Sequence, residues 1–117
     1  MSTHRQKVGN WGESVTASYL GERGYDLVAR NVRTPYGEID IIAEKEGFTV
    51  FVEVKTRTSA SLGPPEISVT PRKQEHMRAA AEHYAQQNEI DHWQIDVIAV
   101  EGKPGTKPAI THFENAI

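Results

Sequence analysis

Asp40, Glu53 and Lys55 are the residues whose types and spacing can do chemistry together in this sequence. Gly37 to Lys45 and Phe48 to Arg57 are rich in β-branched residues with alternating character. They are separated by Glu46-Gly47, a two-residue turn signal, and so read as a hairpin. With the turn centred there, one face pairs Ala43 with Val50, Ile41 with Val52 and Ile39 with Val54, all apolar and therefore core. The opposite face pairs Ile42 with Phe51, Asp40 with Glu53 and Glu38 with Lys55. Carboxylates directly opposite on neighbouring strands have Cβ atoms roughly 4.5 to 5.5 Å apart, where like charges repel. A divalent cation relieves that repulsion: Mg²⁺ takes one or two carboxylates together with waters and substrate phosphate oxygens. Lys55 shares the face of Glu53 by strand periodicity, and its ammonium can orient an attacking water or stabilise charge building on phosphorus. The competing reading is a half-exposed sheet surface in which Lys55 forms a weak ion pair with Glu38 or Glu53. An acid-x-Lys triplet alone decides nothing, since Glu101-Gly102-Lys103 repeats it in a Gly/Pro turn with no facing carboxylate.

The elements that must position these residues follow from periodicity. Val8, Trp11, Val15 and Tyr19 recur at helical steps before Gly24, which predicts a first helix over 6–23. Tyr25 to Val32 is a strand ahead of the hairpin. Ser59 to Ser68, containing Gly63-Pro64-Pro65, is an irregular loop. Thr70-Pro71 supplies an N-cap and first-turn pair for an Ala-rich helix reaching about Asn88, with Met77, Ala81 and Tyr84 on one face. His92 to Val100 and Ala109 to Phe113 are further strands, joined by a Gly/Pro/Lys turn. The order αβββαββ makes an α/β domain with a mixed β-sheet flanked by helices, and 117 residues are enough for one such domain.

Composition narrows the chemistry. The chain has no cysteine, which excludes disulfides, thiolate zinc sites and cysteine nucleophiles. No segment has the roughly 18 apolar residues of a membrane span, and the N-terminus shows no signal-peptide pattern. The expectation is a cytoplasmic protein with no membrane partner. The net charge of −3 does not suit a protein that simply coats nucleic acid. The charges are segregated, however. Residues 34–54 hold one basic and five acidic side chains, and residues 55–80 hold five basic and two acidic. That is the division a metal-assisted enzyme acting on a polyanion needs, although a mixed soluble surface would count the same way. Arg72 and Lys73 stand in the first turn of the second helix, where the macrodipole disfavours cations and free N–H groups favour phosphate. The five histidines show no metal-ligand spacing on a common face and read as surface or structural. Trp11 and Trp93 read as packing residues.

Gly37-Glu38-Ile39-Asp40-Ile41-Ile42-Ala43 followed by Val50-Phe51-Val52-Glu53-Val54-Lys55-Thr56-Arg57 resembles the second and third motifs of the PD-(D/E)XK nuclease superfamily. Gly9-Asn10-Trp11-Gly12-Glu13 and Thr70-Pro71-Arg72-Lys73-Gln74 add a narrower likeness to the YraN-like family of small bacterial proteins, itself similar to archaeal Holliday-junction resolvases. The resemblance implies a restriction-endonuclease-like core. In it, Asp40 and Glu53 are metal-binding acids, the Val54 carbonyl a further ligand, Lys55 the catalytic lysine and Glu13 a supporting acid. Gln74 corresponds to a Gln or Lys on the helix after the third strand. Two features depart from the pattern: Ile39 replaces the proline before Asp40, and Arg78 stands where a tyrosine would follow Gln74.

The expectation is therefore a Mg²⁺- or Mn²⁺-dependent phosphodiesterase acting on nucleic acid, DNA first. Arg72, Lys73, Arg57 and Arg78 would meet the substrate backbone, and a homodimer is suggested by analogy with enzymes that cut two strands. The alternatives are a non-catalytic nucleic-acid-binding module on the same fold and an interaction domain that pairs through its sheet edge.

Overall fold

A computed structural model of the chain describes residues 3–58 and 69–117; the loop expected over 59–68 lies outside the described residues. The elements are α1 (His4–Glu22), β1 (Asp26–Thr34), β2 (Gly37–Lys45), β3 (Phe48–Arg57), α2 (Pro71–Gln87), β4 (Trp93–Glu101) and β5 (Ala109–Phe113). The order is αβββαββ, as the sequence implies. The strands form one sheet in the order β1-β2-β3-β4-β5, antiparallel throughout except for the parallel pair β3 and β4. A parallel pair requires a crossover, and α2 lies within it.

A helix covers each face. On one side Leu20 of α1 packs with Ile41, Ala43, Val50, Val52, Ile98 and Val100. On the other, Ala80, Ala81 and Ala85 of α2 pack with Ile39, Ile42, Phe51 and Ile95. This is a three-layer α/β architecture, a mixed β-sheet with a helix on each face. Small residues on α2 let its axis approach the sheet closely. Met77 and Tyr84 close the same cluster from its margin.

The hairpin register is the one the alternation implies. Glu46 and Gly47 both have positive φ, 52° and 82°, the signature of a type I′ turn. The turn sets the pairs from Lys45↔Phe48 to Ile41↔Val52. Beyond that point one expectation fails. Ile39 does not share a core face with Ile41 and Val54: Val54 packs on the α1 side, while Ile39 joins Ile42 and Phe51 under α2. The cause lies at Asp40. The Val54 N–H, which points toward β2, donates to Asp40 Oδ2 at 2.9 Å rather than to a strand carbonyl. On the other flank Asn31 lies level with Asp40, between the pairs Arg30↔Ile41 and Val32↔Ile39, and adopts a left-handed φ of 52°, whereas the β1–β2 register shift itself lies earlier, between Leu27 and Ala29. The strand pattern is interrupted on both sides of Asp40, and the side chains beyond it change face.

Helix α1 starts at His4 because Thr3 and Gln6 form a capping box: Gln6 N–H donates to Thr3 Oγ1 and Thr3 N–H to Gln6 Oε1. Its buried line is Val8, Gly12, Thr16 and Leu20. The expected stripe is thus rotated by about one residue, with Trp11, Val15 and Tyr19 packed at its border. Gly12 explains the rotation. A Cβ there would overlap Thr56 Oγ1 on β3, so the glycine permits the closest approach of helix and sheet. Thr16 returns its hydroxyl to the Gly12 carbonyl at 2.8 Å and so is buried without an unmet donor. Glu13, the next residue, is thereby pressed toward the end of the sheet that carries Asp40. No helix among the described residues is long and apolar enough to cross a membrane.

Candidate functional site

Asp40 on β2 and Glu53 on β3 come together where the hairpin ladder ends. They are close enough for a proton on Glu53 to be shared with Asp40. Burial raises the pKa of both; for Glu53, the neighbouring Asp40 charge adds to burial and carries it to about 7. The Val54 N–H opposes the rise at Asp40, and Lys73 and Lys55 oppose it at Glu53. Glu13 completes the set from α1. Burial is again the larger cause of its raised pKa, followed by the charge of Asp40; Asn31 and Arg30 pull the other way. Arg30 Nη2 forms an ion pair with Glu13 Oε1 at 3.6 Å, beyond hydrogen-bond reach, and that buried oxygen has no hydrogen-bond partner among the described residues.

Three carboxylates with raised pKa values are hard oxygen donors, and their chemistry fits a divalent cation, although the group of three potential ligands whose atoms lie within 4.8 Å of one another among the described residues is Asp96, His112 and Glu114. Asp40, Glu53 and Glu13 are the side chains that could hold it, and the backbone of Val54 meets Asp40 directly.

Two lysines face the acids, and their placement differs from the sequence expectation. Lys73 Nζ lies 3.6 Å from Glu53 Oε1. It reaches across from the first turn of α2, where it was expected to meet only substrate. Lys55 takes no hydrogen bond or ion pair among the described residues, although its charge is felt at Glu53. The ion pair that the competing reading assigns to Lys55 is made by Lys73 instead.

The remaining expected residues are distributed as follows. Arg72 is exposed beside Lys73 on the same turn. Gln74 turns its amide to the Val69 carbonyl at 3.0 Å, tying down the chain that enters α2. Arg57 pairs with its register partner Glu101 at 3.1 Å, on the β4 side of β3. Arg78 is exposed, and five residues beyond Lys73 it projects about 140° away around the helix. The structure thus gathers Glu13, Asp40, Glu53, Lys55 and Lys73, and leaves Arg57 and Arg78 to their own surroundings. Asn31 was missed. Its type in an otherwise β-prone segment was the available signal, since asparagine is depleted in strands and tolerates positive φ.

A second cluster stands apart from these acids. Ligand atoms of Asp96, His112 and Glu114 lie within 4.8 Å of one another, a grouping that could hold a metal ion. Asp96 is fully buried. Its Oδ2 lies 2.7 Å from His112 Nε2, and its Oδ1 accepts from Gln94 Nε2 and from the Asn115 N–H. His112 Nδ1 meets the Tyr19 hydroxyl at 3.1 Å. These bonds pin the C-terminal strand to α1.

Comparison with known proteins bears on this arrangement of acids, helix glycine and capped basic helix. Residues 12–100, which contain all five gathered side chains, match the uncharacterised protein family UPF0102. The chain belongs to that family. A UPF0102 protein of Corynebacterium efficiens is 45% identical over 116 residues, covering 97% of this chain and 94% of its own. Another from Dehalococcoides mccartyi is 38% identical over 120 residues, covering 100% and 98%. A third, from Syntrophotalea carbinolica, is 40% identical over 118 residues, covering 99% and 95%. Among solved structures, that of Pyrococcus furiosus SfsA in complex with Ca²⁺ is similar, with a TM-score of 0.40 and 12% identity. The match covers 94% of this UPF0102 chain and 63% of the SfsA chain.

Proposed function

We propose that this protein is a Mg²⁺- or Mn²⁺-dependent phosphodiesterase that cuts nucleic acid, DNA in the first instance. Asp40 and Glu53 hold the ion, with Glu13 and the Val54 carbonyl in support. When bound, such an ion supplies Lewis-acid activation of the phosphodiester and of the attacking water. Lys55, which takes no carboxylate partner among the described residues, holds its ammonium toward the position of the reacting phosphate and steadies charge there. Lys73 and Arg72 draw in the phosphate backbone from the N-terminal turn of α2. Arg57 and Arg78 contribute more remote positive charge. Gln74 acts at one remove by fixing the entry of α2. The protein works in the cytoplasm, and a second copy supplies the second active site where two strands are cut.

The observation that supports this reading is the convergence of three carboxylates with raised pKa values, one with an orphaned oxygen, beside two lysines. A bound cation would offset the burial that raises all three carboxylates.

The test is a cleavage panel of single-stranded, duplex, flapped and four-way DNA together with RNA, with Mg²⁺ or Mn²⁺. Metal-dependent cutting that Glu53→Gln and Lys55→Ala abolish while both variants keep their circular dichroism spectra is the expected result. A folded wild-type protein that cuts nothing with either ion contradicts it. Binding that is indifferent to Mg²⁺ and unchanged by Asp40→Asn would assign the non-catalytic module instead.

A further inference from the structure

Tyr36 is half exposed, unusual for a large aromatic residue, and sits in the two-residue turn between the paired Thr34 and Gly37. The turn is held firmly. Thr34 Oγ1 accepts the Tyr36 N–H at 3.1 Å and donates to the Gly37 carbonyl at 2.7 Å, and Gly37 takes a φ of 139° that other residues rarely adopt. The ring is braced edge-on by His83, with centroids 5.9 Å apart. His76 Nδ1 contacts the Tyr36 carbonyl at 3.3 Å; because a carbonyl only accepts, Nδ1 carries the proton. The tyrosine is thus a fixed aromatic platform and not a loose surface side chain.

Between this turn and the first turns of α2 lies a cavity of about 320 Å³, with Tyr36 and His76 on one side, Met77 and Ala80 as its apolar floor, and Arg72 and Lys73 beside them. Lys73 also lies 3.6 Å from Glu53, and Glu38, which borders the cavity, raises the pKa of Asp40. The cavity therefore neighbours the carboxylate cluster through Lys73 and Glu38. It has the three parts that a nucleotide needs: an aromatic surface for the base, an apolar floor, and paired cations for a phosphate. Its volume suits one nucleoside and is at the lower limit of small-ligand sites.

We infer that this cavity receives one unpaired nucleotide of the substrate strand next to the scissile phosphate, its base stacked on Tyr36 and its phosphate against Arg72 and Lys73. A base inside a continuous duplex is stacked on both faces and cannot enter without being extruded. The substrate class is accordingly nucleic acid with an unpaired nucleotide at the cut, whether single-stranded, flapped or branched. The inference rests on the phosphodiesterase reading above and assigns its specificity.

The experiment uses the full-length Lys55→Ala protein with Mg²⁺ and single-stranded oligonucleotides in which 2-aminopurine, whose emission reports stacking, is moved one position at a time. Emission should change at one position. That change should disappear in Lys55→Ala carrying Tyr36→Ala and persist with Tyr36→Phe. The Kd for single-stranded DNA should rise about fivefold or more with Tyr36→Ala, given the usual strength of base stacking on an aromatic ring. The Kd for continuous duplex should not move. Phe48→Ala, which removes another exposed aromatic at the far turn of the β2–β3 hairpin, should change nothing. If the strand binds but Tyr36→Ala alters neither emission nor Kd, or if Phe48→Ala weakens binding equally, the pocket assignment is wrong and the phosphodiesterase reading survives. If no nucleic acid binds and the wild-type protein cuts none, both fall together.

Discussion

Lys73 Nζ stands 3.6 Å from Glu53 Oε1, so the cation paired with the strand carboxylate is delivered by the first turn of α2 and not by Lys55 on the same strand. This accounts for a placement that is otherwise unfavourable. Positive side chains at a helix N-terminus cost a few tenths of a kcal/mol each against the macrodipole. Here the carboxylates beneath the turn offset that cost.

The two lysines should separate in kinetics. Lys55→Ala should lower kcat by about a hundredfold or more, the usual consequence of removing a group that stabilises charge at the reacting centre. Lys73→Ala should lower kcat less and shift the pH dependence of metal binding upward, because Lys73 normally lowers the Glu53 pKa. Its effect on stability should stay below about 1 kcal/mol, since the side chain is half exposed. Equal losses in both variants, with no shift in pH dependence, would show that Lys73 is not coupled to Glu53.

Stability of the metal-free protein should depend on pH in a direction opposite to that of a salt-bridged carboxylate. Glu53 titrates near 4.5 when unfolded and near 7 when folded, so between those values the folded state holds the extra proton. Stability from this group is full below about pH 4.5 and is lost as pH rises toward 7. Asp40 and Glu13, also raised, act in the same sense. Thermal melts in EDTA should therefore fall in Tm from pH 5 to pH 7.5 after correction with the Glu53→Gln variant. Added Mn²⁺ should raise Tm more at pH 7.5 than at pH 5, where protons compete for the same oxygens. A metal-induced shift that is larger at pH 5 would contradict the assignment.

Gly12→Ala tests the helix–sheet contact that places Glu13. In an exposed helix the change would stabilise by roughly 1 kcal/mol. Here the new methyl meets Thr56 Oγ1, and the expected outcome is a loss of about 1–3 kcal/mol in urea denaturation. Adding Thr56→Ala should recover part of that loss, giving a double variant more stable than the sum of the singles implies. Strict additivity would place the contact elsewhere.

The hairpin and its register were legible because both signals are local. Alternation names the faces, and a Glu-Gly turn with positive φ at both residues fixes the pairing. That register brings Asp40 and Glu53 to neighbouring positions just past its last pair, Ile41↔Val52. What escaped the sequence depends on where distant elements land. Ile39 changes face because Asp40 captures the Val54 N–H and Asn31, level with it on β1, takes a positive φ, neither of which alternation encodes. The buried line of α1 runs through Gly12 and Thr16, which carry no hydrophobic signal, so periodicity pointed to the flanking Trp11, Val15 and Tyr19. Lys73 looked like a substrate contact because only the crossover of α2 above the sheet brings it to Glu53. Asp96 and His112 meet only through the β4–β5 pairing, beyond the reach of any spacing rule.

The most direct measurement is an anomalous difference map from crystals grown with Mn²⁺ at pH 7.5. A peak is expected between the Asp40 and Glu53 carboxylates at about 2.2 Å from an oxygen of each, the range for small hard cations. A map whose only peak lies at Asp96, His112 and Glu114, or one with none between Asp40 and Glu53 at saturating Mn²⁺, would contradict it.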